Sequence, residues 1–180
     1  AYLGLYSLQH RGQEAAGIAT FDRATRESRR LREAGLVSDV FTPDKLGKLT
    51  GDTAVGHIRY STAGGAGLKN AQPIREAYRS GALAVVHNGN LTNFHAIRDG
   101  LLDAGALFQS TIDSEVIVHL IARSRETTPD AQIADALTHL EGAYCILATV
   151  DDVLYAARDP YGYRPLVIGA LQGGGLMLAS

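Results

Sequence analysis

The feature that most constrains the fold is a short apolar run followed, after seven connecting residues, by a predicted helix. Residues 81–86 read Gly-Ala-Leu-Ala-Val-Val, a pattern that predicts a strand covered on both faces. Apolar side chains then recur at helical spacing at Phe94, Ile97 and Leu101. A doubly covered strand followed by a helix indicates a layered domain with a buried sheet.

The segment between that strand and helix, residues 87–93, reads His-Asn-Gly-Asn-Leu-Thr-Asn and predicts a compact turn. A glycine between two asparagines can take a positive φ, which aims backbone N–H groups and an Asn amide at one point. Donors arranged in this way are what an oxyanion hole requires. Asn-Gly between regular elements is also an ordinary turn, and this alternative stays open on the segment alone.

The remaining pattern alternates strands and helices without linkers or repeats. Strands are predicted at residues 15–21, 28–37, 53–60, 81–87, 143–150, 153–158, 166–171 and 176–179. Helices are predicted at residues 1–9, 39–48, 92–104 and 113–125, and in a segment that Thr128 caps and Gly142 ends. Asp151-Asp152 and residues 173–175 supply turns, and a glycine-rich loop passes through Gly64, Gly65 and Gly67. We therefore expect an α+β domain with two antiparallel sheets and helices outside them.

Composition bounds the class of protein. The 180 residues suit one domain, with 46% hydrophobic and 20% charged residues and a net charge of -2. This charge provides no broad nucleic-acid or membrane footprint, and the single cysteine excludes an internal disulfide framework. The six histidines lack metal-ligand spacing, so we assign no metal. Because the chain starts at Ala1 and stops in a strand-like run, we expect both ends to be cuts through a longer protein.

Two charged residues suggest an amino-acid substrate. Arg59 ends a predicted strand, and an arginine can clamp a carboxylate through two parallel hydrogen bonds. Asp113 stands where a helix begins, and its carboxylate could accept from an ammonium group. A surface salt bridge for Arg59 and a helix N-cap for Asp113 are the alternatives. Together the two residues would hold both charged ends of an amino acid.

Six ordered motifs resemble those of the class II glutamine amidotransferases. They are residues 8–19, 56–64, 70–73, 87–93, 113–115 and 158–166. The resemblance runs from the start of the chain to at least Leu166 and is far more specific than any single motif. It implies an N-terminal-nucleophile hydrolase fold, a four-layer αββα sandwich, with residues 1–180 forming a glutamine amidotransferase type 2 domain.

The resemblance also implies a glutaminase reaction and assigns roles by motif position. A cysteine at the mature N-terminus attacks the glutamine amide, its own α-amino group serves as the base, and ammonia leaves. The implied roles are Arg59 for the glutamine carboxylate, Asp113 for its ammonium group, Asn88 and Gly89 for the oxyanion hole, Arg11 and Gly12 for the lining of the nucleophile, and Tyr60 for the response to a second substrate.

The nucleophile itself is missing from these 180 residues. The only thiol, Cys145, lies in an apolar strand-like run, where a cysteine is usually inert packing. We therefore reject Cys145 as the nucleophile and expect the 180 residues alone to be inactive.

Within the family, the sequences of the six motifs resemble those of members that pass ammonia to phosphoribosyl pyrophosphate. That reaction gives 5-phosphoribosylamine in the first step of purine synthesis. This implies a phosphoribosyltransferase domain beyond Ser180, with magnesium bound there and no cofactor in the present domain. An iron-sulfur cluster elsewhere in the longer protein stays an open question. We expect a cytoplasmic homo-oligomer that takes glutamine as substrate and binds neither nucleic acid nor membrane.

Two alternatives remain. One is another class II amidotransferase, of the glucosamine-phosphate synthase or asparagine synthetase type, against which the wording of residues 9–12 and 159–165 argues. The other is a non-catalytic regulatory domain that keeps the fold and has lost the nucleophile. A cysteine at the processed N-terminus of the longer protein would exclude the second alternative.

Overall fold

The computed structural model describes residues 1–60 and 67–180, which form nine strands and six α-helices. The strands are β1 (Ala15–Asp22), β2 (Glu27–Ala34), β3 (Thr53–Arg59), β4 (Ile74–Tyr78), β5 (Gly81–Leu91), β6 (Gly142–Val150), β7 (Val153–Arg158), β8 (Val167–Ala170) and β9 (Leu176–Ala179). The helices are α1 (Tyr2–Ser7), α2 (Val37–Val40), α3 (Pro43–Leu46), α4 (Phe94–Asp103), α5 (Ser114–Arg123) and α6 (Pro129–Thr138). Short 3-10 turns cover Gln9–Arg11 and Leu68–Asn70.

Two antiparallel sheets form the centre of the domain. The first has the order β2-β1-β3, and the second has the order β4-β5-β6-β7. Strands β8 and β9 pair with each other in a separate two-stranded hairpin. Strand β5 is central to the second sheet, where it pairs with β4 on one side and β6 on the other.

Helices cover the outer faces of both sheets. Leu5 of α1 and Val37 and Val40 of α2 pack against the first sheet, while α4, α5 and α6 pack against the second around Leu83 and Val85. A third, smaller cluster contains Ala19, Val55, Ala84 and Val86. These residues come from β1, β3 and β5, so this cluster lies between the sheets. The predicted α+β fold with four αββα layers is confirmed.

Most predicted elements are present, with shifts at their ends. Strand β2 stops at Ala34 because Gly35 has a φ of 123°, and Val37 begins a helix instead of ending the strand. The helix predicted at residues 39–48 is split into α2 and α3. Thr42 is extended because it precedes Pro43, and the proline then opens α3. Strand β4 was not predicted, since its Ile-Arg-Glu-Ala-Tyr sequence has only three apolar residues.

The turn predicted at residues 87–93 is wrong for most of its length. Strand β5 continues through Leu91, where it pairs with Gly142, and the following helix starts only at Phe94. Gly89 lies opposite Tyr144 in this ladder and does not have a positive φ. The segment therefore stays extended because β6 supplies a partner for it. Asn88 and Gly89 lie on a strand rather than in a turn.

The predicted turns elsewhere are present. Asp151 has a φ of 50° between β6 and β7, and Gly173, Gly174 and Gly175 all have positive φ between β8 and β9. Of the glycine-rich loop, Gly67 precedes the second 3-10 turn, while Gly64 and Gly65 lie outside the described residues. Among residues 1–60 and 67–180, no helix is both long and apolar enough to cross a membrane.

Candidate functional site

A cavity of about 600 Å³ lies along β3 and between α1, β5, β6 and the β8–β9 hairpin. Of the residues assigned by motif, Asn88 and Arg11 line this cavity. Arg59, Asp113 and Tyr60 are not among its lining residues. The cavity is thus a candidate site that contains part of the predicted set.

Asn88 presents its side-chain amide to the cavity. It lies on β5 in register with Cys145 of β6, and both residues line the cavity. The Asn88 Nδ2 atom donates a hydrogen bond to Ser180 Oγ at 2.9 Å. This hydrogen bond shows that the Asn88 amide can donate to an oxygen atom at the cavity. It is the type of contact that an oxyanion would make.

Arg59 ends β3 with its side chain buried and is 6% exposed. Its Nη1 atom donates to Gly67 O at 3.3 Å, and its carbonyl accepts from Glu14 N at 3.1 Å. The backbone of Gly12 lies directly on that of Arg59, since a Cβ on Gly12 would come within 2.7 Å of the Arg59 carbonyl carbon. Only glycine permits this approach, which explains why Arg11 is followed by glycine.

Asp113 precedes α5 but does not cap it through its side chain. Its Oδ2 atom instead accepts from Leu91 N at 3.0 Å, at the end of β5, and Oδ1 lies 3.6 Å from His87 Nδ1. Burial by itself raises the pKa of this carboxyl. The hydrogen bond and charge of His87 and the Leu91 N–H outweigh burial, so the pKa is held below its usual value. Asp113 is therefore a carboxylate at neutral pH, and the alternative of a side-chain cap is excluded.

Contacts and chain neighbours connect the three predicted binding residues. The main chain of Arg59 contacts Gly12, whose neighbour Arg11 donates through Nη1 to Ser180 O. Ser180 in turn accepts from Asn88, and the preceding residue, His87, lies beside Asp113. The fold therefore connects the main chain of Arg59 with the Asn88 amide and, through His87, with the Asp113 carboxylate. Tyr60 follows Arg59, is 69% exposed, and precedes residues 61–66, which lie outside the described part of the chain.

Two buried polar residues of this region, Gln72 and Ser114, had no role in the sequence prediction. Gln72 hydrogen-bonds both the N–H and the carbonyl of His87, and it also contacts Ser114. Gln72 belongs to one of the six motifs, but that pattern does not indicate which strand it contacts. Ser114 follows Asp113 immediately and belongs to the motif 113–115, but the motif assigns it no role.

The cavity also contains a neutral imidazole and an unreactive thiol. Burial, followed by the nearby His87, lowers the pKa of His57 to about 4, so its ring is uncharged at neutral pH. Cys145 is 2% exposed, and burial raises the pKa of its thiol although Ser180 hydrogen-bonds to it. A raised pKa keeps the sulfur in the poorly nucleophilic thiol form. Within the described residues, no group of three or more His, Cys, Asp or Glu side chains is arranged to hold a metal ion.

Comparison with known proteins identifies the domain. The family model described as a glutamine amidotransferase domain matches residues 57–180. The amidophosphoribosyltransferase of Lacticaseibacillus casei is 47% identical over 169 residues, which cover 93% of this chain and 86% of that sequence. Amidophosphoribosyltransferase 2, chloroplastic, of Arabidopsis thaliana is 46% identical over 179 residues, but these cover only 32% of it. The chain thus spans about a third of the length of the plant relatives.

Solved structures agree with this assignment. The glutamine phosphoribosylpyrophosphate amidotransferase of B. subtilis superposes with a TM-score of 0.90 at 40% identity, covering 98% of this chain and 38% of that one. A predicted glutamine amidotransferase from Pseudomonas aeruginosa superposes with a TM-score of 0.55 at 17% identity, over 82% of this chain and 60% of that one, and shares the fold alone. The chain therefore belongs to the amidophosphoribosyltransferase family and corresponds to its glutamine amidotransferase domain.

Proposed function

We propose that this chain is the glutaminase domain of an enzyme that hydrolyses glutamine to glutamate and ammonia and transfers the ammonia to phosphoribosyl pyrophosphate. The product would be 5-phosphoribosylamine, in the first step of purine synthesis. The observation that carries the proposal is that contacts and chain neighbours connect the main chain of Arg59 with the Asn88 amide and the Asp113 carboxylate. The connection runs through Gly12, Arg11, Ser180 and His87. The side chains of Arg59, Asn88 and Asp113 match the carboxylate, the reacting amide and the ammonium group of one glutamine molecule.

Arg59 and Asp113 are proposed to hold the amino-acid end of glutamine. A guanidinium group forms two parallel hydrogen bonds with a carboxylate. This interaction is stronger where water is excluded, and Arg59 is only 6% exposed. The lowered pKa of Asp113 keeps this residue negatively charged, which suits the α-ammonium group. We further propose that Tyr60, which directly follows Arg59, responds to the second substrate.

Asn88 and Gly89 are proposed to form the oxyanion hole, with the Asn88 amide and the Gly89 N–H as donors. When a nucleophile attacks the glutamine side-chain carbonyl, the carbonyl oxygen becomes negatively charged, and donors fixed beforehand stabilise it. The buried thiol of Cys145, with its raised pKa, does not suit the attack. We infer that the nucleophile is a cysteine at the mature N-terminus of the longer protein, near Arg11 and Gly12.

The second half-reaction belongs to the longer protein. We propose a phosphoribosyltransferase domain beyond Ser180, which would bind phosphoribosyl pyrophosphate with magnesium, and a homo-oligomeric enzyme. A cytoplasmic location is part of the same proposal, although the plant relatives are named as chloroplastic. Neither alternative class is favoured, since the relatives found over the whole chain are amidophosphoribosyltransferases.

The substitution Arg59→Ala in the complete enzyme tests this function. We expect the KM for glutamine to rise at least tenfold, because the carboxylate loses a charge-assisted hydrogen-bond pair, while ammonia-dependent synthesis is unchanged. Steady-state kinetics with glutamine and with ammonium chloride measure the two activities separately.

Arg79→Ala is the matched control, since Arg79 also donates to main-chain carbonyls, those of Ser124 and Glu126, but lies away from the cavity. We expect Arg79→Ala to leave the KM for glutamine unchanged. Equal loss of the glutamine- and ammonia-dependent activities in Arg59→Ala would mean that Arg59 is structural, and the proposed carboxylate site would be wrong.

A further inference from the structure

Gln72 stands where a neighbouring strand would continue beside β5. The β4–β5 ladder pairs Ile74 with Val85, so the same register places Gln72 opposite His87. Strand β4 stops short of that position, and Pro73 has no N–H to give to a ladder. The main-chain carbonyl of Gln72 is directed away from β5, towards Gly17 of β1. The main-chain carbonyl of Gln72 is therefore unavailable to His87.

The side chain of Gln72 makes the hydrogen bonds that a partner strand would have made. Its Oε1 atom accepts from His87 N at 2.7 Å, and its Nε2 atom donates to His87 O at 3.2 Å. Both are buried, and Gln72 itself is 7% exposed. An amide group matches a peptide in having one acceptor and a donor side by side. Gln72 thus fixes the peptide of the residue that immediately precedes Asn88.

The second proton of the same amide ties β5 to the start of α5. Gln72 Nε2 also donates to Ser114 Oγ at 3.1 Å, and Ser114 Oγ lies 3.1 Å from His87 Nδ1. The Ser114 hydroxyl donates to Asp113 Oδ1 at 3.4 Å. This order of donors assigns the Nδ1 proton to His87 and leaves every hydrogen-bonding position of Ser114 Oγ in use. One side chain is therefore bonded to the strand of Asn88 and to the helix that follows Asp113.

We propose that Gln72 is a positioning residue for glutamine hydrolysis. Its three side-chain hydrogen bonds go to His87 and Ser114 and not to Arg59, Asn88 or Asp113. It sets the spacing between the Asn88–Gly89 donors on β5 and the Asp113 carboxylate at the start of α5. This inference rests on the proposed function. Oxyanion donors act only if they are held at the position that the oxyanion will occupy, so loosening this spacing lowers turnover more than binding.

The test replaces Gln72 with Met, which has similar length and makes none of the three hydrogen bonds. In the complete enzyme we expect the kcat for glutamine hydrolysis to fall by about tenfold or more, the KM for glutamine to change less, and ammonia-dependent synthesis to persist. Gln72→Glu keeps the acceptor for His87 N–H but loses both donors, so it provides a second variant if the first does not fold.

Gln132→Met is the matched control. Gln132 is also buried, and its amide is hydrogen-bonded to Tyr78, Ser80 and Glu126, but it lies on α6 and does not line the cavity. A general effect of losing a buried amide would lower the kcat of both variants in step with their stability. That result, or a wild-type kcat in both Gln72 variants, would overturn the proposal.

Hydrogen exchange separates failure of this inference from failure of the proposed function. We expect the His87 amide to exchange faster in Gln72→Met and at the wild-type rate in Gln132→Met. If the wild-type enzyme hydrolyses no glutamine, the proposed function is wrong, and unchanged His87 exchange in Gln72→Met would independently show that Gln72 does not position β5.

Discussion

Gly89→Ala is the substitution on β5 that most directly tests whether close packing holds the proposed oxyanion-hole donors in place. Gly89 lies on β5 opposite Tyr144, and its conformation is one that alanine can adopt. The obstacle is space. A Cβ at this position would lie 2.7 Å from His87 Nε2 and 2.8 Å from Tyr144 Cα, and closer still to the carbonyl oxygen of Ala143. Two of these three contacts are with the backbone of β6, which cannot rotate away as a side-chain end can.

The structure sets the size of the effect. Ordinary contact begins at 3.4 Å, so the 2.7 Å contact falls short by about 0.7 Å and the 2.8 Å contact by about 0.6 Å. Forcing extra volume into a packed site costs about 1–3 kcal/mol of unfolding free energy. A shift of this size at the Gly89 N–H should also lower the kcat for glutamine by about tenfold to a hundredfold, since a misplacement of about 1 Å can cost a hundredfold.

Urea unfolding measures the first effect, and steady-state glutaminase kinetics in the complete enzyme measure the second. Gly100→Ala is the control, because nothing lies within 4 Å of a Cβ on this helical glycine. It should raise the unfolding free energy by about 0.5–1 kcal/mol and leave kcat unchanged. If Gly89→Ala matches wild type in both measurements, the close approach of β5 and β6 at Gly89 does not set the geometry of the donors.

Two further predictions concern single side chains. Asn88→Ala should raise the activation free energy of glutamine hydrolysis by about 2.7–4 kcal/mol, which lowers kcat with little change in KM. An unchanged kcat would remove Asn88 from the proposed oxyanion hole. Burial by itself raises the pKa of Glu115. Hydrogen bonds from His119, Ser110 and Gln109 outweigh burial and lower the pKa from a usual 4.5 to about 2. Because the folded-state pKa is depressed, Glu115 stabilises the fold above pH 4.5 and loses this contribution as the pH falls towards 2. Urea unfolding at pH 6 and pH 3 should therefore show a smaller loss of stability in Glu115→Gln than in wild type, and equal losses would exclude this source of acid sensitivity.

The sequence supplied candidate site residues but not their surroundings. Arg59, Asn88 and Asp113 were selected from residue type and motif position, and their roles stay predictions. The part of Gln72 was not predicted, because a glutamine beside a proline has many possible partners along the chain. Its actual partner, His87, is set by the register of β4 against β5, and β4 itself was missed.

The N-cap predicted as an alternative for Asp113 shows a similar limit. Local sequence favours an Asp before a helix as a cap, yet the carboxylate bonds to Leu91 N, 22 residues earlier in the chain. That donor is available because β5 ends beside the start of α5. Local preference was outweighed by a tertiary contact that no short pattern encodes.

The amino-acid sequence by itself determined the α+β class and most of the strands and helices, and it supplied the residues to which the proposed chemistry is assigned. Apolar periodicity, glycines and prolines act on local structure, so the elements that they specify can be predicted from the sequence. Only the tertiary structure decided that residues 87–91 are extended, since the Asn-Gly pair favours a turn until β6, more than 50 residues later, pairs with it. The same long-range pairing places the Asn88 amide at the cavity and leaves no room for a side chain at Gly89.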